Sequence, residues 1–287
     1  MSPKASGSAL VLLSAVAFGT LAIWTRGAYA LGIQPFTLLF LRFAIASLVI
    51  GAVVIASRRP LPRRALLPRL WLMGALYIGQ SFCFFMALKY IPATLVSLML
   101  YLYPGFVTLA AIFFLKERMT RTKTVALLLA IAGSVLTVGP VSGGSPTGLW
   151  FGLGTAVFYA AYLVVGTRAM VGVDSITGSL FIMSIAAAFY GLSAMAQGFT
   201  WPVESAGWLY VVGIALIPTV VAITALLAGL ERIGPVNAST LSAMEPLVTA
   251  VLAWLVLSET LVLVQVVGAV LILAAVVVLA RSQQASE

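Results

Sequence analysis

Ten apolar runs, each long enough to cross a bilayer, leave this chain little room for any other fold. A hydrocarbon core of about 30 Å needs roughly 20 apolar residues per helix. Segments at about 8–30, 36–57, 70–89, 93–115, 124–140, 147–168, 175–197, 206–229, 235–257 and 262–280 meet that length. The breaks between them carry turn residues or charge, as at Gly32–Pro35, Arg58–Pro68, Tyr90–Pro92, Pro140–Pro146, Val171–Asp174, Trp201–Glu204 and Ile233–Pro235. Every break is short, so no soluble domain is expected. Barrel strands would be about ten residues long with alternating polarity, and these runs are neither.

Composition agrees. Of 287 residues, 62% are hydrophobic and 8% charged, whereas a soluble domain carries about a quarter charged residues. The net charge of +9 raises the question of nucleic acid, but the basic residues cluster between apolar runs, as topology signals do. No nucleic-acid partner is expected. The one cysteine, Cys83, excludes an internal disulfide, and histidine is absent. With no Walker loop, dinucleotide fingerprint or metal-ligand spacing, neither a cofactor nor a metal is expected. Met1 to Gly7 is too short and polar for a signal peptide, so the first apolar run is expected to be retained.

Lysine and arginine set the orientation. With a cytoplasmic N-terminus, Lys4, Arg58, Arg59, Arg63, Arg64, Arg69, Lys116, Arg118, Arg121, Lys123, Arg168, Arg232 and Arg281 fall inside, and Arg26 and Lys89 outside. Thirteen against two puts both termini in the cytoplasm. Sliding the chain on itself by 142 residues brings Ser97 onto Ser239, Pro104 onto Pro246, Leu115 onto Leu257, Glu117 onto Glu259 and Thr25–Arg26 onto Thr167–Arg168. One ungapped register over half the chain is the mark of a duplication, with repeats at 1–143 and 144–287. Five helices per copy is an odd number, so the copies must be inverted. The charges agree, since Lys116, Arg118, Arg121 and Lys123 have Ser258, Thr260, Leu263 and Gln265 as twins. The predicted fold is all-α: ten transmembrane helices in two inverted five-helix repeats.

Ala87-Leu88-Lys89-Tyr90-Ile91-Pro92-Ala93, then Tyr103-Pro104 and Lys116-Glu117, resemble the first EamA-type repeat of the drug/metabolite transporter superfamily. Glu245-Pro246 and Ser258-Glu259-Thr260 repeat the pattern in the second half. Within that superfamily the chain is most similar to the YddG-type amino-acid exporters. The resemblance implies export of aromatic and other hydrophobic amino acids, with toxic organic compounds as side substrates. The motifs themselves belong to the fold and name no cargo.

Polar residues inside a span tend to face the bundle interior or a wet cavity. Four stripes recur at helical spacing: Tyr77, Gln80, Ser81 and Phe84; Thr94, Ser97, Tyr101, Pro104 and Thr108; Thr155, Tyr159, Tyr162 and Gly166; and Ser242, Glu245 and Thr249. Together they suggest one cavity lined by hydroxyls and rings, with Tyr77, Ser81, Ser97, Tyr101, Tyr159, Tyr162 and Ser242 as candidate substrate-binding residues. Each Ser or Thr could instead bond its own helix backbone, and each Tyr could pack between helices. Glu245, an acid deep in a span and next to Pro246, is the candidate for proton coupling; its alternative is a neutral acid bonded to a neighbouring helix. Arg42 either attracts a substrate carboxylate, or pairs with a buried polar group or snorkels toward the interface. Pro104, Pro218 and Pro246 are candidate bends, Glu117 and Glu259 are expected as helix caps or in structural ion pairs, and Trp24 as part of an interfacial belt.

The expectation is a multi-pass exporter of the cell inner membrane, monomeric, with an amino acid as its small-molecule partner and the lipid bilayer as its solvent. A carrier of cationic drugs or nucleotide-like metabolites ranks second. An enzyme is not expected, because a lipid-handling enzyme would gather acids, His or Cys at one membrane face.

Overall fold

A computed structural model describes residues 3–91, 96, 99–116, 119–138, 145–257 and 263–284. Thr94, Ser97, Glu117 and Glu259 lie outside these residues. The helices are α1 (Pro3–Gly19), α2 (Leu21–Ala30), α3 (Pro35–Ala56), α4 (Leu67–Tyr90), α5 (Tyr103–Leu115), α6 (Arg121–Val138), α7 (Pro146–Ala169), α8 (Ser175–Gln197), α9 (Ser205–Ala215), α10 (Ala222–Ser242), α11 (Met244–Leu257) and α12 (Leu263–Gln284). No strand occurs among the described residues.

Local chemistry sets several starts. Pro35 opens α3 and Pro146 opens α7, at positions where a missing N–H leaves no bond unmade. Ser145 caps α7 by accepting from the Gly148 N–H at 3.1 Å. Asp174 caps α8 by accepting from the Thr177 N–H at 3.1 Å.

Six stretches are long and apolar enough to span a membrane: Pro3–Ala30, Pro35–Ala56, Arg64–Ala87, Pro146–Ala169, Ser175–Gln197 and Ser205–Ser242. The last is 38 residues long and covers the eighth expected span and the start of the ninth. Gly105–Phe114 and Val266–Ala275 are shorter apolar stretches within the fourth and tenth. The outer surface is apolar: Leu48, Phe113 and Trp150 are each 74% exposed. A water-soluble protein avoids so continuous an apolar coat.

The most extensive helix pairings are α3 with α8, α4 with α7, α1 with α10 and α6 with α12. Each joins one half of the chain to the other. Along α3 and α8 the partners run in opposite order: Thr37 meets Thr200, Phe40 meets Gly191, Gly51 meets Leu180 and Arg59 meets Asp174. These two helices are therefore antiparallel. Small residues let others approach closely, as between membrane helices generally. A methyl group on Gly7 would lie 2.7 Å from the Ile233 side chain, and one on Gly148 would lie 2.5 Å from that of Ile91.

Several spans are interrupted midway. Tight turns, in which an N–H bonds the carbonyl three residues back, part α1 from α2 at Thr20, precede α5 at Leu102 and precede α11 at Ala243. Residues Leu216–Val221 form a π-helical segment around Pro218. Gly234, at φ 76°, breaks α10 just before Pro235, a conformation open to glycine at little steric cost.

Candidate solute-binding cavity

The breaks at Thr20, Leu102 and Ala243 gather around a cavity of about 270 Å³. Its wall is built from Phe18, Leu21, Thr25 and Tyr29 at the first break; Arg42 of α3; Tyr77, Gln80, Ser81, Phe84 and Phe85 of α4; Leu100 and Tyr101 at the second break; Tyr159 of α7; and Glu245 and Thr249 of α11. Five of these were singled out from sequence as binding or charged candidates in separate spans: Tyr77, Tyr101, Tyr159, Arg42 and Glu245. Ser81, a sixth, lines the same wall. Tyr162 and Ser242 are buried outside it, and Ser97 lies outside the described residues.

The rings form a connected set. Tyr77 sits 5.7 Å from Phe43 and 5.4 Å from Tyr162, and Tyr162 stacks on Tyr159 at 6.3 Å. Tyr159 in turn meets Tyr103 edge-on at 4.7 Å. Tyr162 thus backs two cavity rings from behind. Its hydroxyl is buried without a hydrogen-bond partner among the described residues. Ser81 donates to the Tyr77 carbonyl at 2.9 Å, and Thr249 donates to the Glu245 carbonyl at 3.1 Å and to the Gly19 carbonyl at 3.0 Å. The Thr249 bond fastens α11 to the end of α1.

Arg42 and Glu245 are the two charged residues of the wall. Arg42 is 4% exposed. Its Nε donates to Thr219 Oγ1 at 2.6 Å and its Nη2 to the Pro218 carbonyl at 3.2 Å. Thr219 passes the bond on, donating to the Ile214 carbonyl at 2.7 Å. The guanidinium also lies 4.9 Å from the centre of the Phe43 ring. Glu245 occupies the first turn of α11, where the helix dipole favours an acid. Its side chain makes no hydrogen bond or ion pair among the described residues, so its oxygens are left to the cavity.

A wider cavity of about 710 Å³ adjoins the first through Tyr29 and Phe85, which line both. Its rim carries Gln34, Thr37, Gln197 and Thr200. Val11, Leu70, Met73, Leu227, Leu230 and Ile233 belong to the same buried apolar core as Tyr77, Tyr101 and Tyr159. The central cavity continues through the wider one toward the end bearing Gln34 and Thr200. Sequence stripes missed Phe18, Thr25 and Tyr29, although with Leu21 they recur at steps of three and four along the first span. Trp24 packs edge-on against Tyr210 at 6.1 Å.

Residues 5–139 and again 146–281 match the EamA-like transporter family. The chain belongs to that family. The EamA-like protein is thus a membrane-embedded transporter, and the family match occurs once in each half. Among its relatives, the uncharacterized transporter YcbK of Bacillus subtilis is 27% identical over 92% of this chain and 89% of its own. The aromatic amino acid exporter YddG of Ancylobacter novellus is 28% identical over 80% of this chain and 81% of its own. The pseudopaline exporter CntI of Pseudomonas aeruginosa is 32% identical over 56% of this chain and 51% of its own. A crystal structure 25% identical in sequence superposes with a TM-score of 0.84 over 99% of both chains.

Proposed function

We propose that this protein exports aromatic and other hydrophobic amino acids across the cell inner membrane, by alternating access between two inverted halves of five helices each. The observation that carries this reading is the wall of the central cavity. Rings of Tyr77, Tyr101, Tyr159, Phe84 and Phe85 offer faces to an apolar side chain, and one cation and one anion stand in the same wall. An amphipathic zwitterion needs that combination. The relative named as an aromatic amino acid exporter supports the same cargo.

The inverted arrangement draws support from packing. If the halves are related by a two-fold axis in the membrane plane, the second span must pair antiparallel with the seventh, and α3 with α8 does so. The same axis exchanges the pair α1 with α10 for the pair α7 with α4. Gly7 against Ile233 and Gly148 against Ile91 are close to such images: Ile91 and Ile233 are 142 residues apart, the interval that aligns the repeats, and Gly7 and Gly148 fall one residue short of it. With the N-terminus in the cytoplasm, ten spans bring both termini inside, and the open end of the cavity faces outward. The chain works as a monomer in this reading. A cationic drug, the other cargo class considered, would meet Arg42 as well as Glu245 and fits less well.

Proteoliposomes loaded with labelled Phe, Trp or Thr should show saturable efflux of at least one. Absence of efflux for all three overturns the assignment of cargo.

A further inference from the structure

We propose that Arg42 is the carboxylate anchor of the solute, and that the bonds to Thr219 and Pro218 hold its guanidinium in position for that task; this rests on the amino-acid reading above.

A guanidinium carries five donors in a rigid fork. Two are used by Thr219 and the Pro218 carbonyl, and the Tyr77 hydroxyl is a further neutral neighbour of the guanidinium. The side chain is almost fully buried, lines the cavity, and has no carboxylate within ion-pair distance among the described residues. A charge so placed in a span is costly, and a neutral carbonyl and hydroxyl compensate it only in part. The missing partner is an anion small enough to enter through the open end, and the ring-lined wall beside it selects one that carries an apolar group. An α-carboxylate on an aromatic side chain has both. Tyr77, whose hydroxyl is close to the guanidinium, bounds the same corner of the cavity and would sit beside the bound carboxylate.

The Pro218 carbonyl is available because the π-helical segment displaces it from the ordinary ladder. Proline at 218 also removes one donor from the turn below. The π-helical part of the eighth span therefore supplies the groups that fix the fork at the cavity wall.

The test compares phenylalanine with phenethylamine, which keeps the ring and the amine but lacks the carboxylate. Both are used as competitors of labelled Phe efflux from proteoliposomes of the whole protein. The wild type should prefer phenylalanine by roughly 10- to 100-fold, the worth of one charge-assisted hydrogen bond. Arg42→Gln should bring that ratio close to one, and Arg42→Lys, with its charge but no fork, should keep an intermediate ratio. An Arg42→Gln protein with the wild-type ratio overturns the proposal, as does a wild type that fails to distinguish the two compounds. Should Arg42→Gln not yield a monodisperse protein, Arg42→Lys decides alone, and an unchanged ratio sinks the anchor. Export of Phe, Trp or Thr by the wild type, alongside a ratio indifferent to residue 42, would leave the cargo assignment standing and remove only the anchor.

Discussion

Glu245 and Tyr103 occupy matching places in the two halves, each directly before a proline, yet they do different things. Tyr103 is buried, donates to the Ser239 carbonyl at 3.4 Å and packs on Tyr159. Glu245 faces the cavity with no protein partner for its oxygens among the described residues. That asymmetry makes Glu245 the place where a proton could be taken up from the open side and given up after the cavity reorients. The charged groups facing it across the cavity reduce to Arg42, with the phenols of Tyr77, Tyr101 and Tyr159 around them. In wild-type proteoliposomes, efflux should accelerate when the receiving side is made acidic, and Glu245→Gln should transport at a rate indifferent to that gradient. A Gln variant that keeps the full pH response excludes Glu245 as the proton carrier. At this scale the sequence was readable where a polar residue recurs with the helical period, as Tyr77 and Ser81 do. It was silent on which residue of another span each one meets. Arg42 is conspicuous in the sequence as a cation within an apolar run, but Thr219 lies 177 positions away, and nothing local joins them.

At the scale of helices, close packing rather than propensity fixes the arrangement, because lipid gives apolar faces no drive to separate from it. Gly7 and Gly148 test this, since each sits where a neighbouring segment leaves no room for a side chain. Gly7→Leu and Gly148→Leu should each cost about 1–3 kcal/mol through overpacking, lowering the thermal midpoint in detergent by several degrees. Gly51→Ala is the contrast: its methyl group would meet Leu180 at an ordinary 3.6 Å, and alanine favours a helix over glycine by about 1 kcal/mol. Its midpoint should hold or rise. Equal losses at all three positions would mean that glycine matters there for some reason other than approach. Six stretches long and apolar enough to span were legible from length and hydropathy, and so was an irregularity at Pro218, because proline cannot complete a helical ladder. The interruption at Thr20 was not. Phe-Gly-Thr-Leu within an apolar run carries no strong stop signal, and the break shows only where Thr249 bonds the Gly19 carbonyl.

For the molecule as a whole, the proposed inverted arrangement dictates on which side of the membrane each loop emerges. The fold constrains this more tightly than charge counting does. Because α3 and α8 are antiparallel, the loop that follows the Arg59–Asp174 ion pair of 3.0 Å leaves the molecule at one end, and it carries Arg63. The strand-free turn after Gln197, tied down where the Thr200 N–H donates to Thr37 Oγ1 at 3.1 Å, leaves at the other end, and it carries Glu204. Both side chains are exposed. The ion pair itself is solvated and worth at most about 1 kcal/mol, so it marks this end without holding it. In a background with Cys83→Ser, single Arg63→Cys and Glu204→Cys variants therefore report opposite sides of the membrane. An impermeant maleimide added to intact cells should label the residue-204 variant at once and the residue-63 variant only after permeabilisation, which also assigns the basic end to the cytoplasm. Labelling of both in intact cells, or of neither, would be incompatible with α3 and α8 crossing the bilayer in opposite senses. The export reading proposed above would then lose its physical basis.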